Sequence, residues 1–172
     1  MKKTKKLAFS GILTALCFVL LFIGSLFSTI DLSLSAIAGL LIVLAVIELD
    51  DKYAAGIFLA VSLLGLLLIP SKLTSLFFLG FLGWYPIAKR HFERLVPLLA
   101  WPVKISAANV FLALSILVSR YVFLIPESDF DFSYLLFGLA NVTFVLYDIC
   151  LSKLILLYLV KLRNLLRINK LL

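Results

Sequence analysis

Long apolar runs alternate with short polar segments along the whole chain. This alternation predicts six membrane-spanning helices, over residues 7–27, 32–47, 53–69, 73–88, 95–123 and 132–160. A helix needs roughly 20 predominantly apolar residues to cross the hydrocarbon core, and the runs approach or exceed that length. We therefore expect an all-α polytopic membrane helix bundle with about six transmembrane helices, forming a single integral membrane domain over residues 1–172.

Three of these runs have special features. The first is longer than the roughly 7–15 residues of a signal-peptide core and has no small-x-small cleavage motif after it, so we expect a retained helix. The fourth run is shorter than ideal, and we expect it to be tilted or only partly inserted. The fifth contains Pro97 and Pro102, and each proline removes a backbone donor, so a kink is expected near its start.

The segment between the fourth and fifth runs combines aromatic and basic residues. Trp84, Tyr85 and Pro86 precede the charged cluster of Lys89, Arg90, His91, Glu93 and Arg94. Amphipathic rings prefer the headgroup level of a bilayer, and basic residues prefer cytoplasmic loops. The segment therefore marks a cytoplasmic membrane boundary near the middle of the chain.

Six spans bring both termini to the same side of the membrane. If that side is the cytoplasm, almost all of the basic residues lie inside, namely Lys2, Lys3, Lys5, Lys6, Lys52, Lys89, Arg90, Arg94, Lys161, Arg163, Arg167 and Lys170. Only Lys72 and Arg120 remain in or beside outer loops. The asymmetry predicts a multi-pass protein of a bacterial cell membrane with both termini cytoplasmic.

Composition supports a lipid environment. The chain is 64% hydrophobic and 15% charged, and its mean hydropathy is +1.20. A soluble domain of this size could not bury so much apolar surface. The net charge of +7 is explained by membrane topology, so nucleic-acid binding is not expected. Cys17 and Cys150 lie within apolar runs, which favours two small core residues over a disulfide or a zinc site.

Signatures of catalysis are missing from the sequence. It contains no phosphate-cradling glycine loop, no nucleophile beside a plausible base and no metal-ligand motif, and the lone His91 lies in the basic turn. We expect no enzymatic activity, no cofactor and no metal. No nucleotide-binding segment is present either, so a powered pump is not expected from this chain alone.

Small residues in the first run suggest a helix-packing face. Gly11 and Ala15 are four apart, with Ala8 and Ser10 nearby. Residues at that spacing share a face, and small side chains allow another helix to approach closely in lipid. The face can pack against this chain's own helices or against a partner protein.

Polar residues inside apolar runs are costly and are therefore candidate functional groups. Asn141, Asp148 and Ser152 share one face of the sixth span, and Asn109 lies near the middle of the fifth. Lys104 and Asp148 come to comparable depth if the two spans are antiparallel. They can form a mutually neutralising structural pair, or Asp148 can be a substrate-coordinating or proton-carrying carboxylate.

A six-span topology with basic cytoplasmic ends and the Gly11/Ala15 pair in the inner half of its first helix resembles the S components of energy-coupling factor transporters. The strings GWYPIAKRHFE at 83–93 and WPVKISAAN at 101–109 also resemble clostridial-type membrane proteins of related architecture. The resemblance implies that Gly11 and Ala15 contact a transmembrane T component, which works with two cytoplasmic ATPases.

The same resemblance implies an outward-facing pocket for a vitamin-like or other small nutrient. The residues expected to bind that substrate are Asn109 and Asn141, with Tyr134 and Phe137 as possible wall groups and Asp148 as a deeper candidate. Amides both donate and accept hydrogen bonds, so two of them facing one cavity can orient a polar ring.

Two other functions remain open. One is a non-transporting scaffold subunit of a cell-envelope assembly, in which Gly11 and Ala15 bind a partner while Asn141 and Asp148 only tie helices together. The other is a self-sufficient secondary carrier with Asp148 as its coupling site, although no inverted repeat is visible in the sequence. Binding of a small molecule distinguishes the scaffold from the transport subunit.

Overall fold

The computed structural model describes residues 3–27, 29–93, 97–121 and 134–162, with side-chain positions for all of these except residues 73, 97–99, 119–121, 134–136 and 162. These residues form helices and no strand. The α-helices are α1 (Lys3–Leu26), α2 (Asp31–Glu48), α3 (Asp51–Leu68), α4 (Lys72–Phe77), α5 (Tyr85–Phe92), α6 (Pro97–Tyr121) and α7 (Tyr134–Leu157). Two π-helical segments, Phe78–Leu82 and Tyr158–Leu162, follow α4 and α7. The prediction of an all-α bundle is confirmed.

Five of these helices are long and apolar enough to cross a membrane. They are α1, α2, α3, the Ala100–Val118 part of α6 and the Phe137–Lys161 stretch that includes most of α7. Large apolar side chains such as Leu7, Leu67 and Val160 are exposed on the bundle surface. Lipid is the environment that suits such a surface, because exposing so much contiguous apolar area to water is unfavourable in free energy and leads to association.

The fourth predicted span is a broken helix rather than a continuous one. The six-residue α4 leads into the π-helical segment Phe78–Leu82, and a turn at residues 83–84 precedes α5. Pro86 is in the first turn of α5, where its missing N–H is tolerated. An unbroken α-helix would need that N–H to bond the carbonyl of Leu82, so the proline favours the break.

The first three helices enclose an apolar core. Fully buried side chains include Cys17 and Leu21 from α1, Ile42 from α2 and Val61 from α3. Phe78 of the π-helical segment completes this core. The cysteine prediction is half right, because both thiols are free and Cys17 is buried but Cys150 is exposed.

Gly39 brings α2 against the broken helix. A Cβ atom at this position would lie 2.6 Å from the carbonyl oxygen of Leu82 and 3.0 Å from the hydroxyl of Tyr147. Only glycine allows so close an approach. Because α2 lies so close to the broken helix, the first core is adjacent to a second apolar cluster, which includes Val43, Tyr85 and Phe144.

Several polar contacts gather at one end of the bundle, which we call the basic end. Lys6 of α1 donates to the Leu49 carbonyl at 2.9 Å and to the Asp50 carboxylate at 2.5 Å. The Tyr158 hydroxyl, after α7, donates to Glu48 Oε1 at 3.1 Å. The start of α1 and the end of α7 therefore lie beside the same α2–α3 turn. The predicted outer loop 126–131 lies outside the described residues.

Candidate functional site

One face of α7 carries the polar and aromatic residues of the site. Asn141, Phe144, Asp148 and Leu151 follow at spacings of three and four, which places them on one helical face. Phe144, Asp148 and Leu151 are all buried. Ser152 also lies on this side, and its hydroxyl donates to the Asp148 carbonyl at 3.0 Å.

The carboxylate of Asp148 is the centre of a buried ionic cluster, which we define as Tyr85, Lys89, Lys104 and Asp148. Lys104 Nζ lies 3.0 Å from Asp148 Oδ2 and 3.3 Å from Oδ1. The Lys89 ammonium and the Tyr85 hydroxyl both donate to Oδ1. Asp148 is only 3% exposed, so these donors replace the water that an isolated carboxylate would need.

Lys104 and Asp148 therefore form the pair that the sequence left open. The two residues come from α6 and α7, and Lys104 is 6% exposed. Its ammonium also lies 5.5 Å from the ring centroid of Trp101, one helical turn earlier. That position allows a favourable cation–π contact in addition to the ion pair.

Tyr85 and Lys89 are the members of the cluster that sequence reasoning missed. Tyr85 was placed with the aromatic residues of the membrane boundary and Lys89 with the cytoplasmic basic residues, but they are 0% and 1% exposed. Tyr85 and Lys89 are four apart on α5 and so share the face that meets Asp148. That spacing was the available signal, because it separates Tyr85 and Lys89 from the exposed Arg90 and His91.

Glu93 completes the charge balance of the cluster. Its Oε1 lies 3.0 Å from Lys89 Nζ, and its side chain is 49% exposed. Lys89 thus joins the buried carboxylate of Asp148 to a carboxylate at the surface. Two ammonium groups, from Lys89 and Lys104, face two carboxylates, so the arrangement has no net formal charge.

Aromatic rings pack beside the ionic cluster and fix Tyr85. The ring centroids of Phe81 and Tyr85 are 4.9 Å apart in a stacked arrangement. Phe144 meets both rings edge-on, at centroid distances of 5.2 Å and 5.3 Å. Such edge-to-face and offset contacts are favourable. They hold the Tyr85 hydroxyl in the position from which it donates to Asp148.

The predicted substrate residues Asn109 and Asn141 contact each other. Asn141 Nδ2 donates to Asn109 Oδ1 at 2.9 Å and to the Phe137 carbonyl at 3.0 Å. Asn141 Oδ1 is buried and has no hydrogen-bond partner among the described residues. The side chain of Tyr134 lies outside the described residues, although its backbone begins α7.

Asp148 is separated from this asparagine pair. It is seven residues from Asn141, which corresponds to about 10 Å along the helix axis. The structure therefore brings Asn109, Asn141 and the Phe137 backbone together in one place and Asp148 with two lysines in another. A small ligand contacting the asparagines would not reach the carboxylate directly.

The small-residue face of α1 is exposed. Ala8, Gly11 and Ala15 all lie at the surface. A Cβ atom at Gly11 would have no atom of the described residues within 4 Å, apart from the backbone of its own helix and its immediate neighbours. Among the described residues, Gly11 is therefore not packed against another helix of this chain, and the face is open to a partner protein.

Beside this face, α1 and α3 enclose a groove of about 410 Å³ near the basic end. Its lining includes Leu7, Gly11 and Thr14 from α1 and Lys52, Gly56 and Ile57 from α3. Gly56, like Gly11, leaves open space where a side chain would be. The groove opens toward the lipid-facing surface.

Ion pairs surround the basic end of this groove. Lys6 bonds to Asp50, and this hydrogen bond lowers the pKa of the Asp50 carboxyl below its ordinary value. Arg90 Nη1 lies 2.8 Å from Asp51 Oδ1. Lys52 follows these acids in the chain and lines the groove. It is exposed and has no ion-pair partner within the described ranges.

Comparisons with known proteins identify no relative of this chain. No protein-family model, no curated protein and no solved structure matches the chain. The described part of the chain also contains no group of three or more His, Cys, Asp or Glu residues placed to hold a metal ion.

Proposed function

We propose that this chain is the membrane-embedded, substrate-binding subunit of a transporter for a small, vitamin-like nutrient, and that it works with a T component and two cytoplasmic ATPases. The observation that carries the proposal is the exposed small-residue face of α1. Ala8 and Ala15 lie roughly 160–180° around the helix from the core residue Cys17, so they point away from the bundle.

Such a face suits close packing with another membrane protein. In lipid there is no hydrophobic driving force between helices, so association depends on close van der Waals contact, which small residues permit. Gly11 borders the same face and leaves room for a neighbouring backbone. A T component that packs a helix here would bury Ala8, Gly11 and Ala15 together.

The position of this face also suits coupling to cytoplasmic ATPases. Gly11 is five residues after Lys6, and Lys6 bonds to the α2–α3 turn at the basic end. Basic residues favour the cytoplasmic side, so we assign the basic end, and with it both termini, to the cytoplasm of a cell-membrane protein. The docking face then lies in the inner half of the bilayer, within reach of a partner that contacts ATPases.

The substrate is proposed to bind at the asparagine pair. Asn141 Oδ1 is a buried acceptor with no partner among the described residues, and buried polar groups are nearly always satisfied. A donor on a polar ring would satisfy it, while Asn109 and Phe137 lie beside it. Tyr134 and Phe137 stay as candidate wall residues. Asp148, about 10 Å further along α7 and bonded to Tyr85, Lys89 and Lys104, is left out of the proposed substrate site.

The proposal is tested by co-expressing the tagged chain with a T component and its two ATPases. We expect co-purification, and we expect the Gly11→Leu, Ala15→Leu double variant to lose it, because two large side chains keep the partner helix away. Gly138→Leu is the matched control, since Gly138 is also exposed and a Cβ atom there would meet no described atom within 4 Å. The proposal is contradicted if the double variant still co-purifies with the T component, or if the parent chain does not.

A scaffold subunit of a cell-envelope assembly is the second candidate, and the ionic cluster favours it. Asp148 accepts from three donors on α5 and α6 and is only 3% exposed, which suits a helix-tying role. The same burial argues against a secondary carrier that uses Asp148 as its coupling site. A vitamin screen by isothermal calorimetry separates the candidates. Only a transport subunit should bind one of the vitamins, and Asn141→Leu should then abolish that binding.

A further inference from the structure

The groove between α1 and α3 has a cation at one end and apolar walls below it. Leu7 and Ile57 contribute apolar surface, and Gly11 and Gly56 provide space instead of side chains. Lys52 lies at the basic end of the groove, where headgroups of the surrounding lipid are expected. We propose that this groove binds an anionic phospholipid, with its phosphate on Lys52 and one acyl chain along the two glycines.

The charge state of the turn supports an anionic headgroup. Asp50 and Asp51 directly precede Lys52 in sequence, and both could have neutralised it. Instead, Asp50 pairs with Lys6, and Asp51 pairs with Arg90. Lys52 is therefore the exposed cation left unpaired by the described residues around this turn, and a phosphate is the group that complements it.

The shape of the groove suits a hydrocarbon chain. From Leu7 to Thr14 the groove extends about 10 Å along α1 at 1.5 Å per residue, and the open positions at Gly11 and Gly56 leave room for one acyl chain. A partner helix is roughly 10–12 Å in diameter with its side chains, so it would pack on the surface of the groove rather than enter it.

This lipid site does not depend on the proposed transport function. The groove residues Leu7 and Thr14 lie on the side of α1 that faces α3, whereas Ala8 and Ala15 point away from the bundle. Only Gly11 borders both surfaces. Variants of α3 therefore test the lipid site without changing the face assigned to the T component.

The test is native mass spectrometry of the detergent-purified full chain, titrated with equal amounts of phosphatidylglycerol and phosphatidylcholine that have the same acyl chains. We expect phosphatidylglycerol to be retained about fivefold more, the effect of one lysine near a phosphate. Lys52→Gln should lower the retention of phosphatidylglycerol about fivefold, to the level of phosphatidylcholine. Gly56→Leu should lower retention of both lipids at least fivefold.

Two control variants have matched chemistry at other positions. Lys161→Gln removes an exposed lysine after α7, and Gly138→Leu adds a leucine at another open glycine. Both should behave as the parent chain, and the thermal midpoint of each variant confirms folding. Equal retention of the two lipids by the parent, a preference that survives Lys52→Gln, or retention unaffected by Gly56→Leu overturns the proposal. A dimer that Gly56→Leu dissociates would assign the groove to a second copy and also overturn it.

Discussion

The two halves of this bundle are held together by different interactions. In the spans of α1, α2 and α3, 28%, 39% and 28% of the residues are buried, mostly as apolar side chains. In the spans of α6 and α7 the shares are 6% and 17%. The ionic cluster joins α6 and α7 to α5, together with the smaller apolar cluster that includes Val43, Tyr85 and Phe144. The Asn109–Asn141 bond joins α6 and α7 to each other.

The difference shows that one membrane bundle can contain a closely packed group of helices and a second group that is held by fewer buried contacts. Apolar packing between helices is not driven by water in lipid, so the first half depends on close contact through small residues. Gly24 of α1 is an example, because a Cβ atom there would lie 3.2 Å from the Cβ atom of Leu34 in α2. A buried ion pair is specific in geometry but costly to break on one side only. The second half is therefore positioned by a few groups whose removal should have large effects.

The largest effect is expected from Asp148→Ala. It would leave Lys89 and Lys104 buried without their shared carboxylate, at a cost of about 3–5 kcal/mol in the free energy of unfolding. Thermal unfolding of the purified protein in detergent measures this. Thr143→Ala, on the exposed side of α7, is the control and should change little.

The same comparison is sharpened by removing the three charged members of the ionic cluster. Replacing Lys89 and Lys104 by Met together with Asp148→Leu leaves no buried charge unpaired, because Glu93, which loses Lys89, is 49% exposed and can be solvated. Most of the stability lost in Asp148→Ala should therefore return. If the triple variant is as unstable as Asp148→Ala, the loss comes from packing geometry rather than from uncompensated charge.

A smaller effect is expected from Gly39→Ala, at the contact between the halves. The added methyl group would lie 2.6 Å from the Leu82 carbonyl, and such overpacking costs about 1–3 kcal/mol. Gly56→Ala and Gly138→Ala, which meet no described atom within 4 Å, should be neutral or slightly stabilising because alanine favours helix more than glycine. Equal behaviour of all three variants in thermal unfolding would contradict the close approach of α2.

Asn141→Leu should have a still smaller effect on stability. It removes one hydrogen bond between α6 and α7, and interhelical bonds in membrane proteins contribute on average about 0.6 kcal/mol. The substitution also removes the unpartnered Oδ1 acceptor of Asn141, so part of the lost stability should be regained. Unfolding in detergent, compared with Asn109→Leu and the double variant, gives the coupling between the two residues.

The smallest effect concerns the exposed Lys6–Asp50 pair. Because the hydrogen bond from Lys6 lowers the Asp50 pKa, the pair stabilises the fold above the carboxyl's ordinary pKa of about 3.9. This contribution is lost as the pH falls through the lower, folded-state value. The thermal midpoint should thus decrease slightly less steeply with acid in Asp50→Asn than in the parent, and Lys6→Gln should match Asp50→Asn.

Some of the site was predictable because helical spacing is local. The shared face of Asn141, Asp148 and Ser152 follows from 3.6 residues per turn, and the equal depth of Lys104 and Asp148 follows from antiparallel spans. The burial of Lys89 was not predicted, because a lysine in a basic cluster ordinarily faces solvent. Its position depends on how α5 packs against α7 after the break at residues 83–84.

The sequence by itself determined the helical class, the apolar runs and the separation of basic from apolar segments, because lipid requires long hydrogen-bonded helices of apolar residues. Tertiary structure decided which polar groups meet. It turned the fourth span into a broken helix, joined Lys89 and Tyr85 to Asp148, and left the Gly11 face and Lys52 without partners among the described residues. Such outcomes depend on the rotation and tilt of each helix, which neighbouring helices set and local sequence does not.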